Sequence, residues 1–243
     1  MFIGEDYVQV CWVNDGQKKP VIILGHGLGG DSSQMLSTGR TLADAGFFVL
    51  MPDAPSHGQT KNAAPSCLVE VVKASSRQYD RLLDTFQDDP NADTARVGAA
   101  GFSMGAMTAF YFAANSRHTV TAIGPCCGTP DFMELMGQSV AYLHCPAAGS
   151  FEEGAYADPA RQKEIDRLLQ EASPMDKLLC MPDLHVFMQN GEEDAFFSLR
   201  AVARLADNGE NAELCVLAGQ GHIYTEDMRR QLAGFFVRVF LSK

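Results

Sequence analysis

The sequence has no apolar run approaching the about 20 residues that a membrane-spanning helix needs. Its first residues, Met1-Phe2-Ile3-Gly4-Glu5-Asp6, lack the basic start and long apolar stretch of a secretory signal. A soluble, cytoplasmic protein is therefore expected. No C-x-x-C pair is present, and the seven cysteines (11, 67, 126, 127, 145, 180 and 215) make an odd number. That pattern suits reduced thiols better than a disulfide framework or a zinc site. Most of these thiols are expected to fill the core, and Cys126-Cys127, at the end of an expected strand, could also line a pocket. Basic charge is scarce: 19 Lys and Arg stand against 30 Asp and Glu, for a net charge of -11. Phosphate binding wants clustered cations, so nucleic acid and anionic membranes are excluded as expected partners. Repeats, low-complexity tracts and interdomain linkers are also missing. With 243 residues, 46% of them hydrophobic, one large α/β domain is the better expectation than two small ones.

What is present is an alternation of short apolar runs with longer helical patterns, the mark of a mostly parallel sheet covered by helices. The expected strands are Tyr7–Val13, Val21–Gly25, Phe47–Met51, Arg96–Gly101, Val120–Pro125, His185–Gln189 and Ala212–Leu217. The expected helices cover Ser32–Ala45, Pro65–Gln87, Met104–Asn115, Leu199–Asn208 and Thr225–Phe240. Asn14-Asp15-Gly16 reads as a tight turn and Gly46 as a helix stop. Residues 129–181 break the alternation, with two helix-like stretches (Phe132–Leu143 and Pro159–Glu171) around a loop rich in Gly, Ala and Pro. A structureless connection of that length is unusual inside a compact domain, so an inserted helical lid over a functional edge is expected.

Gly101-Phe102-Ser103-Met104-Gly105 fits the G-x-S-x-G pattern of a sharp strand-to-helix turn that exposes a serine hydroxyl. The pattern alone is weak, but an apolar strand-like segment precedes it and a helix rich in Ala, Met and Phe follows. Glycine suits both flanks because a Cβ there would press on neighbouring backbone where strand and helix approach. Open α/β sheets bind ligands at the carboxyl ends of their strands. His26-Gly27-Leu28-Gly29-Gly30, Ser103, Asp194 and His222 all follow expected strands, and Ser…Asp…His is the chain order of a serine triad on such a sheet.

Four motifs carry a family resemblance: His26 to Gly30, the loop Met51-Pro52-Asp53-Ala54-Pro55-Ser56-His57-Gly58, the elbow Gly101 to Gly105 continuing through Ala106-Met107-Thr108-Ala109, and Gly219-Gln220-Gly221-His222. The chain resembles an α/β-hydrolase, and specifically the small bacterial carboxylesterases related to the S9-type peptidase catalytic domain. The resemblance implies an α/β-hydrolase fold with Ser103 as nucleophile, His222 as general base and then acid, and Asp194 as the carboxylate that orients the imidazole. It also implies an oxyanion hole made by the backbone N–H groups of Leu28 and Met104, so that side-chain substitution at Leu28 tests little.

Asn190-Gly191-Glu192-Glu193-Asp194 offers three adjacent carboxylates and departs from the family pattern, which often has His before the glycine. The family spacing selects Asp194, with Glu193 as the alternative. Among the other histidines, His57 is the rival base, His26 is expected to organise the oxyanion loop, and His118, His144 and His185 carry no partner pattern. Asp53 is expected to stabilise its loop. Phe132, Met133, Leu135, Met136, Tyr142, Met104, Phe196 and Phe197 either form an apolar substrate wall or pack the insertion onto the body. The expected activity is hydrolysis of small carboxylic esters through an acyl-enzyme, with no metal or organic cofactor. A thioesterase, an aminopeptidase-like hydrolase, a C–C bond-cleaving relative and a non-catalytic binder on the same fold stay open, as does a homodimer.

Overall fold

Strand β3 (Lys19–Gly25) is buried along its whole length, which a strand can be only with covering layers on both faces of the sheet. The computed structural model describes residues 1–60, 68–134 and 159–242. Its strands are β1 (Phe2–Ile3), β2 (Asp6–Cys11), β3, β4 (Phe48–Pro52), β5 (Ala92–Phe102), β6 (Val120–Cys126), β7 (His185–Gly191) and β8 (Ala212–Leu217). They form one sheet in the order β1-β2-β4-β3-β5-β6-β7-β8. The β1/β2 and β2/β4 pairs are antiparallel and the remaining pairs parallel. This is the mostly parallel α/β-hydrolase sheet.

The helices are α1 (Leu36–Asp44), α2 (Leu68–Phe86), α3 (Met104–Asn115), α4 (Pro159–Ala172), α5 (Met175–Leu178), α6 (Leu199–Asn208) and α7 (Glu226–Phe240). Alternate strand residues feed two cores, as the two-residue period of a strand requires. Ile22, Leu24, Val49 and Met51 pack with Leu42 of α1 and Leu232, Phe235 and Phe236 of α7. On the opposite face Val21, Ile23, Phe48 and Leu50 pack with Leu82 and Leu83 of α2, Phe110 and Phe112 of α3, Leu178 of α5 and Val202 of α6. A third cluster lies at the carboxyl edge, where Leu68, Val69 and Val72 meet Met104, Met107, Phe132, Leu169 and Phe197. No described helix is long and apolar enough to cross a membrane.

Several expectations shift in detail. The helix expected over Ser32–Ala45 divides into a 3-10 turn at Ser32–Met35 and then α1. Asp31 caps the start of that turn by accepting from Ser33 N at 2.8 Å, the bond an N-cap carboxylate makes. Gly46 ends α1 with φ 106, and Phe47 N returns to Leu42 O at 3.1 Å, the capping bond of a left-handed helix end. Gly16 does take a positive φ of 76, but its turn does not join neighbours, because β4 lies between β2 and β3. The two-residue β1 and the four-residue α5 are too short to leave a periodic signal. The helix expected from Pro65 is described from Leu68 onward.

No strand is found among the described residues of 129–181, and α4 occupies the second helical stretch expected there. Of the first stretch, Phe132–Glu134 forms a single 3-10 turn and the remainder lies outside the described residues, as do Leu135, Met136, Tyr142, His144, Cys67 and Cys145. The described parts of this segment are tied together: Phe132 N donates to Ser173 Oγ at 3.1 Å, and Ser173 Oγ donates to Asp131 Oδ1 at 3.2 Å.

Candidate active site

Ser103 sits between β5 and α3 with φ 57 and ψ -114, a conformation that non-glycine residues rarely adopt and that persists only where the surroundings enforce it. Three glycines do the enforcing. A Cβ on Gly105 would lie 2.1 Å from Gly25 O, and one on Gly101 would lie 2.6 Å from both Gly25 O and Gly105 C. A Cβ on Gly25 would lie 2.8 Å from Gly105 Cα. The end of β3, the end of β5 and the start of α3 therefore touch backbone to backbone. Since these contacts are to main-chain atoms that cannot rotate away, Gly105→Ala is expected to cost at least about 3 kcal/mol, or roughly 6–12 °C in melting temperature for a chain of this size. Gly29→Ala faces nothing within 4 Å and should cost only about 1–2 kcal/mol for its left-handed φ. Thermal unfolding of the two variants checks this, and equal losses would contradict it.

His222, on the loop between β8 and α7, places Nε2 2.9 Å from Ser103 Oγ and Nδ1 2.8 Å from Asp194 Oδ2. The two loops behind this chain of contacts pack closely. Glu193 N donates to Gln220 O at 2.8 Å, and a Cβ on Gly191 would meet Gln220 O at 2.3 Å. The three neighbouring carboxylates separate by environment. Glu192 accepts from Gly219 N at 3.0 Å, Glu193 is exposed, and only Asp194 faces the imidazole. The Asp194 side chain is fully buried, and its Oδ1 accepts from Phe196 N at 2.8 Å and Phe197 N at 3.1 Å.

Burial pushes the Asp194 carboxyl upward. The imidazole hydrogen bond and the two N–H donors together outweigh burial, so its pKa lies below the ordinary 3.8. A depressed carboxylate contributes stability above the unfolded value and loses it as pH falls through the folded one. The stability advantage of the wild type over Asp194→Asn is thus expected to narrow below about pH 3.8, as read by urea unfolding at stepped pH; a gap constant down to about pH 2 would contradict this.

Three aromatic rings frame the imidazole: Phe102 at 4.8 Å, Phe196 at 4.8 Å and Phe197 at 5.5 Å between centroids. Phe102 also stacks on Tyr224, whose hydroxyl accepts from Thr38 Oγ1 at 3.1 Å.

The loop of Leu28 lies beside the elbow, since a Cβ on Gly27 would be 3.7 Å from Ser103 Cβ. Gln34 braces it by accepting from Gly27 N at 3.3 Å. His26 links it to the Asp53 loop: Nδ1 donates to Gly27 O at 2.8 Å and Nε2 accepts from Ala54 N at 2.9 Å. Burial lowers the His26 pKa, which keeps Nε2 free of a proton and able to accept. Asp53 accepts from Ser32 N at 2.7 Å and Gln59 N at 2.6 Å. His57 pairs with Pro55 O of its own loop at 3.0 Å, and His118 pairs with Asp84 at 3.0 Å. His185 opens β7. Among the described residues, no acceptor takes the N–H of Leu28 or Met104.

Phe132, Met104 and Phe197 are buried in the third core cluster, and Phe132 stacks on Tyr111 at 6.5 Å. These three thus pack in the cluster where residues 132 and 169 meet α2 and α3, with Phe197 also against the imidazole. Phe196 and Met133 are half-buried. Gly25, Gln34 and Phe102 escaped the sequence reading as site residues, whereas Cys127 reads from the sequence as core filler or pocket lining. Only Gly25, closing an apolar strand just before His26, carried a local signal.

The sequence model of the Dienelactone hydrolase family matches residues 9–134. The match takes in the His26 loop and the elbow but ends before Asp194 and His222. YitV of Bacillus subtilis (strain 168), an esterase by name, is 26% identical over 129 residues, 51% of this chain and 50% of that protein. The bifunctional acetylxylan esterase/xylanase XynS20E of Neocallimastix patriciarum is 27% identical over 128 residues, 51% of this chain and 18% of that protein. The chain thus matches half the length, or less, of these curated relatives. Est1E from Butyrivibrio proteoclasticus with ferulic acid bound superposes with a TM-score of 0.71 at 17% identity, covering 96% of this chain and 95% of that one. TT1662 from Thermus thermophilus gives 0.70 at 20% identity, over 97% and 94%. With a family match over more than half its length and this sheet order, the chain belongs to the dienelactone hydrolase family.

Proposed function

We propose that the protein is a serine hydrolase that cleaves small carboxylic esters through an acyl-enzyme, with Ser103 as nucleophile, His222 as base and acid, and Asp194 as orienting carboxylate. The observation that carries this reading is the unbroken relay from Ser103 Oγ through His222 Nε2 and Nδ1 to Asp194 Oδ2, at 2.9 and 2.8 Å. A serine hydroxyl hardly ionises near neutral pH, so its proton must pass to Nε2 as Oγ attacks the ester carbonyl. Asp194 holds the other ring proton on Nδ1, which leaves Nε2 bare for that transfer and stabilises the imidazolium that forms.

The negative charge that develops on the carbonyl oxygen is met by the N–H groups of Leu28 and Met104. Peptide donors on a braced loop and at the first turn of α3 need no reorganisation as that charge appears. Nε2 then returns its proton to the leaving alcohol, and a water activated by the same nitrogen releases the acid. The esterase names of the curated relatives support ester substrates over other acyl donors. The phenyl rings about His222 suit an uncharged acyl or aryl group.

A panel of p-nitrophenyl esters, acyl thioesters and aminoacyl anilides tests the reading. The expected result is fastest turnover of short-chain esters, with a burst of p-nitrophenol. Preference for thioesters or anilides would overturn the ester assignment, and no turnover of any substrate would overturn the enzymatic one.

A further inference from the structure

Cys127 takes part in no step of that chemistry, yet it sits against two of the groups that do. It follows β6 at the edge of the sheet where Ser103 follows β5, with φ 51. Its backbone N–H donates to Gln189 O at 2.7 Å and its thiol to Ile223 O at 3.6 Å, so β7 holds its main chain and the His222 loop its sulfur. Burial, followed by the neighbouring Asp194 charge, pushes the thiol up to about 11; it is therefore protonated near neutral pH and is no rival nucleophile. One ligand atom from each of Cys127, Asp194 and His222 lies within 4.8 Å of the other two, the one such group among the described residues. The imidazole nitrogen facing Asp194 is Nδ1, since Nε2 faces Ser103.

A sulfur, an imidazole nitrogen and a carboxylate oxygen make a donor set suited to borderline and soft d10 cations. Zinc bonds of about 2.0–2.3 Å in a tetrahedron put ligand atoms about 3.3–3.6 Å apart. Nδ1 and Oδ2, now 2.8 Å apart, need to open by only about half an ångström, and the sulfur, within 4.8 Å of both, gives up its hydrogen bond to Ile223 O to close on the metal.

We propose that Cys127, Asp194 and His222 form an inhibitory site for a divalent cation of the Zn2+ or Cd2+ class, with water in the fourth position. Binding releases the thiol proton to solvent as the sulfur–metal bond forms. The cation takes the Nδ1 lone pair, so the ring proton moves to Nε2. That nitrogen then donates toward Ser103 Oγ and has no lone pair left to accept the hydroxyl proton. Inhibition thus follows from the tautomer alone. The effect on turnover rests on the proposed serine mechanism, whereas the cation site does not.

Cadmium titration followed by thiolate-to-metal charge-transfer absorption tests the site without any turnover. The expected result is a tight phase of one equivalent that is absent from Cys127→Ala, weakened more than about tenfold in His222→Ala, and intact when the exposed Cys180 is changed to Ser. Cys127→Ser, close in shape, serves as the second variant should the alanine unfold, and thermal unfolding of each variant shows that it is folded. A tight phase that survives both Cys127 changes, or a wild type without one, would overturn the site. In parallel, Zn2+ should inhibit p-nitrophenyl acetate turnover reversibly on chelation, and Cys127→Ser should raise the half-inhibiting concentration more than about tenfold. A wild type that binds Cd2+ as described but hydrolyses no ester keeps the cation site and removes the serine mechanism. One that hydrolyses esters with no tight cadmium phase does the reverse.

Discussion

Ser103→Ala is expected to lower kcat for p-nitrophenyl acetate by on the order of 10^6 and to abolish the burst. Each tenfold in rate is worth about 1.36 kcal/mol, so the substitution removes about 8 kcal/mol of barrier lowering. The size of the effect comes from the role of the atom lost. Without Oγ there is no acyl-enzyme, and the imidazole at 2.9 Å has no hydroxyl to activate. What should survive is the contribution of binding and of the proposed oxyanion donors, about 10^3–10^4 over water. The fold should tolerate the change, because alanine removes one polar atom and leaves the glycine contacts around it untouched. A variant that turns over esters within about tenfold of the parent would show that the nucleophile lies elsewhere.

Asp194→Asn is expected to cost about 10^4 in kcat, whereas Glu193→Gln should change it by no more than about twofold. The contrast follows from what each carboxylate touches. Asp194 is fully buried and accepts from Nδ1 as well as from two backbone N–H groups. An asparagine that turns its NH2 toward the ring would force Nδ1 to accept, move the ring proton to Nε2, and so block proton transfer from Ser103. Glu193 is exposed and contributes to the site only through its backbone N–H to Gln220 O, which the side-chain change preserves. Steady-state kinetics of the two variants at neutral pH decides the matter. Equal losses, or a larger loss at Glu193, would assign the orienting role differently.

The elbow was legible because three constraints coincide in adjacent residues: an apolar strand, glycines at both flanks and an apolar helix. The order of Ser103, Asp194 and His222 was legible because each follows a strand, and strand ends are where a parallel sheet gathers its loops. Features that depend on the path of the chain were not legible. Gly25 looks like any strand-ending glycine until β3 and β5 are neighbours and a Cβ there would strike Gly105. The Asn14-Asp15-Gly16 turn carries a hairpin signal that local geometry honours and topology does not, since β2 pairs with β4. Cys127 reads as core filler or pocket lining, and no local pattern announces that β6 ends beside the Asp194 and His222 loops. Phe132 could have been wall or packing from its residue type alone, and its complete burial against Leu169 and Met107 depends on contacts far apart in the chain.

The central claim is that one hydroxyl, primed by His222, is the reactive nucleophile. Labelling with a fluorophosphonate probe followed by peptide mapping tests it most directly, because the probe reports an activated serine without a guess at the substrate. The account predicts a single adduct on Ser103, formed rapidly in the wild type and lost in His222→Ala. An adduct on any other residue, or labelling of Ser103 that persists at the wild-type rate without the imidazole, would contradict it.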